Sequence, residues 1–144
     1  MVGLLENNEY CKKCFKCCIN TQMILTRSDI ERLVSRGYRG FYELRDGFYR
    51  LVNKNGKCIF LDESGLCRVY PVRPIGCRSY PLVYDEEEGV VLDPLCPLSK
   101  KVKREELAKG VQLLEQALRE LEETYSYGVD WELFRKSSAK LLSK

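Results

Sequence analysis

Eight cysteines are the residues of this 144-residue sequence whose type and spacing could do chemistry, and the sequence contains no histidine. Four of them form the run Cys11-x2-Cys14-x2-Cys17-Cys18. A Cys-x-x-Cys step allows a tight turn to direct two sulfurs at one ion. The other four cysteines follow at wide intervals, and they are Cys58, Cys67, Cys77 and Cys96. The pattern therefore indicates that thiolates bind a metal.

Eight sulfurs are enough for two closed four-ligand sites with no thiol left over. Cys17 and Cys18 are adjacent and their side chains point in different directions, so we expect them to belong to different sites. We predict that one site is formed by Cys11, Cys14, Cys17 and Cys96. We predict that the other site is formed by Cys18, Cys58, Cys67 and Cys77.

Zinc and an iron–sulfur cluster are both compatible with thiolate ligands, and the residues leave both open. The first three cysteines match the start of the bacterial ferredoxin run, in which the fourth cysteine precedes a proline, as Cys96 does here. This spacing favours a [4Fe–4S] cluster at one site. Closed coordination by four thiolates suits structural zinc equally well.

Other uses of the cysteines fit less well. The N-terminal residues lack the basic start and long apolar run of a secretory signal, so we expect a cytoplasmic protein with reduced thiols. A thioredoxin-like redox pair would lie between the strand and helix of a βαβ unit, and the pattern around Cys11 does not indicate one. Packing alone rarely selects eight cysteines at such spacings.

The missing histidine excludes Ser-His triads, Cys-His dyads and mixed Cys/His zinc fingers. We assign no catalytic residue, and the sequence favours a metal-binding protein over an enzyme. The formal charge of +3 treats the thiols as neutral, and two four-thiolate sites, each at −2 with a divalent ion, would change it to −1. The charge therefore does not favour a nucleic-acid partner, and no apolar run reaches the ~18 residues of a membrane span.

Arginines lie among the later cysteines, and we predict that Arg73 and Arg78 contribute to cofactor binding. A guanidinium group could hold an anionic ligand in its bidentate fork. It could instead stabilise the negative charge of a thiolate centre by donating hydrogen bonds to sulfur or to loop carbonyls. Both interpretations stay open at this point.

Local signals predict the elements that position these residues, and they divide the chain near residue 98. We expect a cysteine-cluster domain over 1–98 and a helical extension over 99–144 that packs on it. Ser28 and Glu31 form a capping-box pattern for a first helix, and residues 11–18 are expected to be a loop. Strands are predicted over 21–25, over 48–52 and 57–61 around an Asn55-Gly56 turn, and over 81–84 and 90–93.

Apolar residues from Leu107 to Tyr125 recur at helical spacing, which predicts an amphipathic helix capped by Ser99. Asp130 should cap a second helix after the break at Gly128. We expect this helical pair to cover the core, and a protein partner on its surface is the alternative. The fold class is therefore a small, irregular, metal-stabilised α+β domain with short β-hairpins and a C-terminal helical pair.

The order of the motifs resembles the YkgJ-like cysteine-cluster family, over about residues 8 to 98. The motifs that carry this resemblance are the Cys11–Cys18 run, Cys67-Arg-Val-Tyr, Arg73-Pro74-x2-Cys77-Arg78 and Tyr80-Pro81. The resemblance implies chelation of zinc or iron by the cysteines. Flagellin lysine-N-methylases have a similar cluster, which raises the alternative of an iron–sulfur redox or enzyme-accessory protein. Their methylase activity is not implied, because this sequence has no glycine-rich cofactor loop.

Overall fold

The computed structural model describes residues 3–5 and 8–144, apart from the side chains of residues 12 and 13. The helices are α1 (Glu9–Lys13), α2 (Arg27–Ser35), α3 (Ile75–Ser79), α4 (Arg104–Thr124) and α5 (Trp131–Leu142). The strands are β1 (Tyr42–Arg45), β2 (Phe48–Leu51), β3 (Asn53–Lys54), β4 (Lys57–Cys58), β5 (Leu82–Asp85) and β6 (Gly89–Leu92). Short 3₁₀ helices are formed by Lys16–Cys18, Tyr70–Val72 and Ser99–Lys101.

The strands pair as three separate antiparallel hairpins, β1 with β2, β3 with β4, and β5 with β6. Asn55 and Gly56 connect β3 to β4 with φ of 55° and 77°, the left-handed conformation of a type I′ turn. The predicted Asn-Gly turn is therefore confirmed. Asp46 and Gly47 connect β1 to β2 in the same conformation, with φ of 53° and 84°.

A first hydrophobic core lies between α2, the first two hairpins and the segment that leads to α3. Its buried members are Leu25, Leu33, Phe41, Leu51, Cys58, Phe60, Val69 and Val72. Three more cysteines, Cys18, Cys67 and Cys77, pack against this core. Half of the thiols are therefore part of the packing that holds this region together.

A second hydrophobic core joins the β5–β6 hairpin to α4 and α5. Its buried members are Leu82, Val90, Leu114, Leu118 and Phe134. The Asp130 side chain accepts a hydrogen bond from the Leu133 amide at 3.0 Å, so the predicted cap of α5 is confirmed. This core contains residues from both sides of position 98, and the division into 1–98 and 99–144 stays a prediction. No helix of the described residues is long and apolar enough to cross a membrane.

The α+β class with short hairpins and a C-terminal helical pair is confirmed, but two helix starts were predicted wrongly. The N-cap of α2 is Thr26 with Asp29, rather than Ser28 with Glu31. Ser99 lies in a 3₁₀ turn and does not cap α4, because Val102 and Lys103 are extended and separate the two elements. Glu106 closes the start of α4 by accepting from the Lys103 amide at 2.8 Å.

Three further expectations about local structure were wrong. Residues 21–25 do not form a strand, because Ile24 makes only an isolated bridge to Arg50. The segment 11–18 is not a plain loop, since α1 carries Cys11 and a 3₁₀ helix carries Cys17 and Cys18. The hairpin around Asn55-Gly56 is also shorter than predicted, because it joins only β3 and β4 rather than strands over 48–52 and 57–61. Residues 48–51 form β2 and pair with β1, whose mostly exposed residues lack the alternation that indicates a strand.

Candidate metal centre

The first part of the centre is built on α1 and the turn that follows it. The Asn8 side chain caps α1 by accepting from the Cys11 amide at 2.9 Å. The amide of Cys14, at the other end of α1, donates to the Tyr10 carbonyl at 2.9 Å. These local bonds hold Cys11 and Cys14 within one compact turn, as the Cys-x-x-Cys spacing predicts.

Cys96 joins these residues from a distant part of the chain, where its amide donates to the Asp93 carbonyl at 3.2 Å. Asp93 is itself fixed, because its carboxylate accepts from the Tyr80 hydroxyl at 2.8 Å. A cavity of about 20 Å³ is lined by Cys11, Cys14, Cys17 and Cys96 together with Tyr80. That volume holds one water-sized particle. We call these four cysteines the first thiol group.

The other four cysteines, the second thiol group, are Cys18, Cys58, Cys67 and Cys77, and all contact the first core. Cys58 ends β4, Cys67 is bridged to Leu61, and Cys77 lies on α3. Asp62 stabilises the turn between Cys58 and Cys67, because its Oδ1 accepts hydrogen bonds from the amides of Ser64 and Leu66. The structure therefore brings together cysteines whose sequence spacing is too wide for a knuckle.

Backbone amides donate to three of the sulfurs in one recurring arrangement, each from two residues after its cysteine. These amide–sulfur pairs are Phe60 with Cys58, Val69 with Cys67, and Leu98 with Cys96. Each bond stabilises the thiolate over the thiol. The backbone therefore supplies amide donors that stabilise negatively charged sulfur. The wide spacing of these cysteines gives no indication of these hydrogen bonds.

Burial raises the pKa of most of the thiols. It raises the pKa of Cys11 to about 11, with smaller contributions from neighbouring thiols such as Cys17. Burial also comes first in raising the pKa of Cys58, Cys67, Cys77 and Cys96. Cys17 and Cys18 are hydrogen-bonded to each other, and this bond lowers the pKa of Cys17 to about 7 and raises that of Cys18.

The charge of Arg73 acts on thiols of both groups. Burial raises the pKa of Cys11 in the first group and of Cys67 in the second, and the Arg73 guanidinium opposes both rises. The hydrogen bond from Cys18 lowers the pKa of Cys17, and Arg73 adds a smaller contribution in the same direction. The guanidinium is held 3.8 Å from the centre of the Tyr70 ring by a cation–π contact. One cation therefore stabilises negative sulfur in both groups.

Arg78 is placed differently from Arg73, because it is 9% exposed and lies among the charged groups of Asp29, Arg32, Arg73 and Glu120. Burial comes first in lowering the pKa of its guanidinium. Its backbone carbonyl accepts from the Leu4 amide at 2.8 Å. The surroundings of Arg78 tie it to the packing of α3, and its predicted role in cofactor binding stays a prediction.

All eight cysteines are free thiols. Within residues 3–5 and 8–144, no three Cys, Asp or Glu side chains have the mutual geometry that would hold a metal ion. The donor set nonetheless fits a soft metal, because sulfur is abundant and is supported by amide donors and one arginine. Loading would then require the thiols to lose their protons and close on the ion.

We expect the metal-free chain to lose stability as the pH rises from about 8 to about 10. Six thiols have a raised pKa in the folded state, so above the ordinary thiol pKa of about 8.5 the unfolded chain releases protons that the folded chain retains. Cys17 opposes this trend, but it is a single thiol. Urea unfolding of the metal-free chain at several pH values measures the slope.

The metal-loaded chain is the control for this pH dependence. Its thiolates hold no protons, so raising the pH should not reduce its free energy of unfolding. A metal-free chain whose free energy of unfolding stays constant or increases between about pH 8 and about pH 10 would contradict the expectation.

A small α+β scaffold that gathers eight free thiols defines the class of a cysteine-cluster domain. The chain belongs to the CxxCxxCC family, described as a "putative zinc- or iron-chelating domain", and the match covers residues 10–97. The resemblance predicted from the motifs is thereby confirmed. Membership supports metal binding in general and leaves the metal to experiment.

An uncharacterised protein of Methanocaldococcus jannaschii is 32% identical to this chain over 89 residues. The aligned region covers 56% of this chain and 48% of that protein, so the chain spans about half the length of this curated relative. No solved structure matches the chain.

Proposed function

We propose that the protein chelates metal at two all-thiolate centres, one in each thiol group. The observation that supports this proposal is the placement of the cysteines in the fold, in which the two groups meet where Cys17 is hydrogen-bonded to Cys18. The first group surrounds one small cavity, and the second group is packed on the first core. Each group supplies four sulfurs, the number that a closed tetrahedral zinc site requires.

Zinc is the first candidate, because a closed site of four thiolates needs no inorganic sulfide or further ligand. Closed zinc sites stabilise a scaffold and leave no open coordination position for a substrate. The proposed role is therefore a structural or adaptor module in the reducing cytoplasm. Zinc purified with the protein at about two ions per chain is the expected result of elemental analysis.

An iron–sulfur protein is the second candidate, favoured by the Cys11-x2-Cys14-x2-Cys17 spacing and by Cys96 before a proline. In that case the role would be redox chemistry or support of an enzyme. Anaerobic purification followed by an absorption spectrum separates the candidates. A brown protein with iron and sulfide supports the cluster, a colourless protein with zinc supports the first candidate, and a protein that binds neither metal would exclude both.

We expect Arg73→Ala to weaken metal binding at both centres by about 10-fold. Burial raises the pKa of thiols in both groups and the guanidinium opposes that rise, so its loss makes those thiolates harder to form. Arg73→Lys keeps the charge and gives up the planar contact with Tyr70, so it should retain most of the affinity. Competition with a chromophoric chelator measures the affinity.

Arg135→Ala is the matched control for this prediction, because Arg135 is exposed on α5 and should leave metal binding unchanged. Normal affinity at both centres in Arg73→Ala would show that the arginine serves packing alone. Loss at one centre only would contradict its action on both groups.

A further inference from the structure

We propose that Asp29 and Arg32 of α2 are positioning residues for the second thiol group, because together they fix the loop 72–75 that leads to Cys77. The inference rests on the proposed function, since it assigns a task relative to the metal that this group would hold. Neither residue is a metal ligand in this proposal. Both act through the backbone of the loop.

Asp29 is a fully buried carboxylate, with 0% exposure. Burying a carboxylate destabilises a protein unless hydrogen bonds and an opposite charge compensate. Both are present here: Oδ1 accepts from Arg32 at 2.8 Å and from the Ile75 amide at 3.0 Å, and Oδ2 accepts from the Thr26 amide at 3.1 Å. The carboxylate therefore connects α2 to the start of α3.

The bond to Ile75 bears directly on Cys77. Ile75 is the first residue of α3, and the first amides of a helix have no partner within the helix. Asp29 supplies that partner from 46 residues away in sequence. Cys77 follows two residues later, and its own amide donates to the Pro74 carbonyl at 2.9 Å. The location of the Cys77 thiol is therefore tied to that of the carboxylate.

Arg32 holds the same loop from its carbonyl side. Its Nη2 donates to the Arg73 carbonyl at 2.9 Å, and its Nε donates to the Val72 carbonyl at 3.4 Å. The ion pair with Asp29 fixes the guanidinium for both bonds. Arg32 thus fixes two carbonyls of the loop, and Asp29 fixes the amide of Ile75 that follows them.

The two oxygens of Asp29 have separate tasks, which makes the proposal testable. Oδ2 belongs to the capping box of α2, in which the Thr26 hydroxyl also accepts from the Asp29 amide at 3.1 Å. Oδ1 serves the loop through Arg32 and Ile75. Asp29→Asn removes the charge and leaves one amide oxygen for three donors, whereas Thr26→Ala weakens only the cap of α2.

The experiment uses the full chain with Cys11→Ser and Cys96→Ser, so that only the second thiol group can bind cobalt(II), the spectroscopic probe. Adding Asp29→Asn is expected to lower cobalt affinity by about 10- to 100-fold, the usual effect of losing a residue that orients a ligand. In the complementary chain with Cys58→Ser and Cys67→Ser, Asp29→Asn should leave cobalt affinity at the first group unchanged.

Two controls separate positioning from stability. Asp46→Asn makes the same charge change at an exposed turn whose φ of 53° asparagine tolerates, and it should have no effect. Thr26→Ala should lower the stability of α2 with little loss of cobalt affinity at the second thiol group. If Thr26→Ala weakens cobalt binding as much as Asp29→Asn does, Asp29 is only a structural residue and the proposal is wrong.

Arg32→Lys provides a second variant if Asp29→Asn does not fold by circular dichroism. Lysine keeps the charge beside Asp29 and loses the fork that reaches both loop carbonyls, so a several-fold drop in affinity at the second group is expected. Unchanged affinity in this variant would contradict the role of Arg32. Failure of the second group to bind cobalt with Asp29 and Arg32 intact would instead contradict the proposed function.

Discussion

Removing the metal is expected to disorder the region around the first core while the helical pair stays folded. Binding of metal to thiolates is coupled to folding, and a structural zinc ion supplies roughly 10 kcal/mol or more in small zinc domains. The net stability of a whole domain is only ~5–15 kcal/mol. Four thiols of the second group pack in or against the first core, so loss of their metal acts on that packing.

The second core should survive, because no cysteine is among its buried members. It joins the 21-residue helix α4 to α5 and to the β5–β6 hairpin. Chelator-treated protein, kept reduced, should therefore retain helical circular dichroism but lose hydrogen-exchange protection around Leu33 and Phe41. The thermal midpoint of the cysteine-rich region should fall by more than ~10 °C, given a few degrees per kcal/mol for a chain of this size.

Readdition of zinc, or of iron and sulfide if the iron–sulfur candidate is correct, should restore the original midpoint. A chain in which cysteines of both groups are replaced by serine provides the control, since chelator should not change its melting. A metal-free protein that keeps the full thermal stability of the loaded protein would contradict the coupling of binding to folding.

Paired cysteine substitutions are expected to divide the eight thiols into two independent centres. Cys11→Ser with Cys96→Ser removes two ligands from the first group, so metal content should fall from about two ions per chain to about one. Cys58→Ser with Cys77→Ser should have the same effect through the second group. In each case the other four sulfurs are intact.

The mixed pair Cys11→Ser with Cys58→Ser provides the decisive comparison. It also removes two sulfurs, but one from each group, so metal content should fall toward zero. Thiol titration controls for oxidation, and elemental analysis counts the metal. A mixed pair that retains one ion, or a within-group pair that loses both, would show that the cysteines are divided in another way.

Local rules predicted several elements well, because their causes lie within a few residues. Asn55-Gly56 specifies a type I′ turn through the conformations that those two residues accept. Asp130 caps α5 through a bond to an amide three residues away. The spacing of apolar residues on α4 reports the face that is buried against the second core.

The start of α2 shows where local rules were insufficient. Thr26 with Asp29 and Ser28 with Glu31 are both capping-box patterns, and the sequence offers no local reason to choose between them. The first is used because Asp29 also accepts from the Ile75 amide, a partner far along the chain. A threonine followed three residues later by an acidic residue is itself a capping-box pattern. This pattern could have identified Asp29 as the residue that closes the start of α2.

The sequence alone determined the chemistry of this protein, because side-chain type does not depend on folding. Eight thiols without histidine leave thiol sulfur as the soft donor that the side chains offer in quantity, and the order of the motifs is enough to identify the family. Only the tertiary structure decided which cysteines lie together and what supports them. Cys96 reaches Cys11 through long-range packing, and Asp29 reaches the loop before Cys77 in the same way. Contacts of this kind depend on how separate elements pack, and residue spacing along a chain does not specify them.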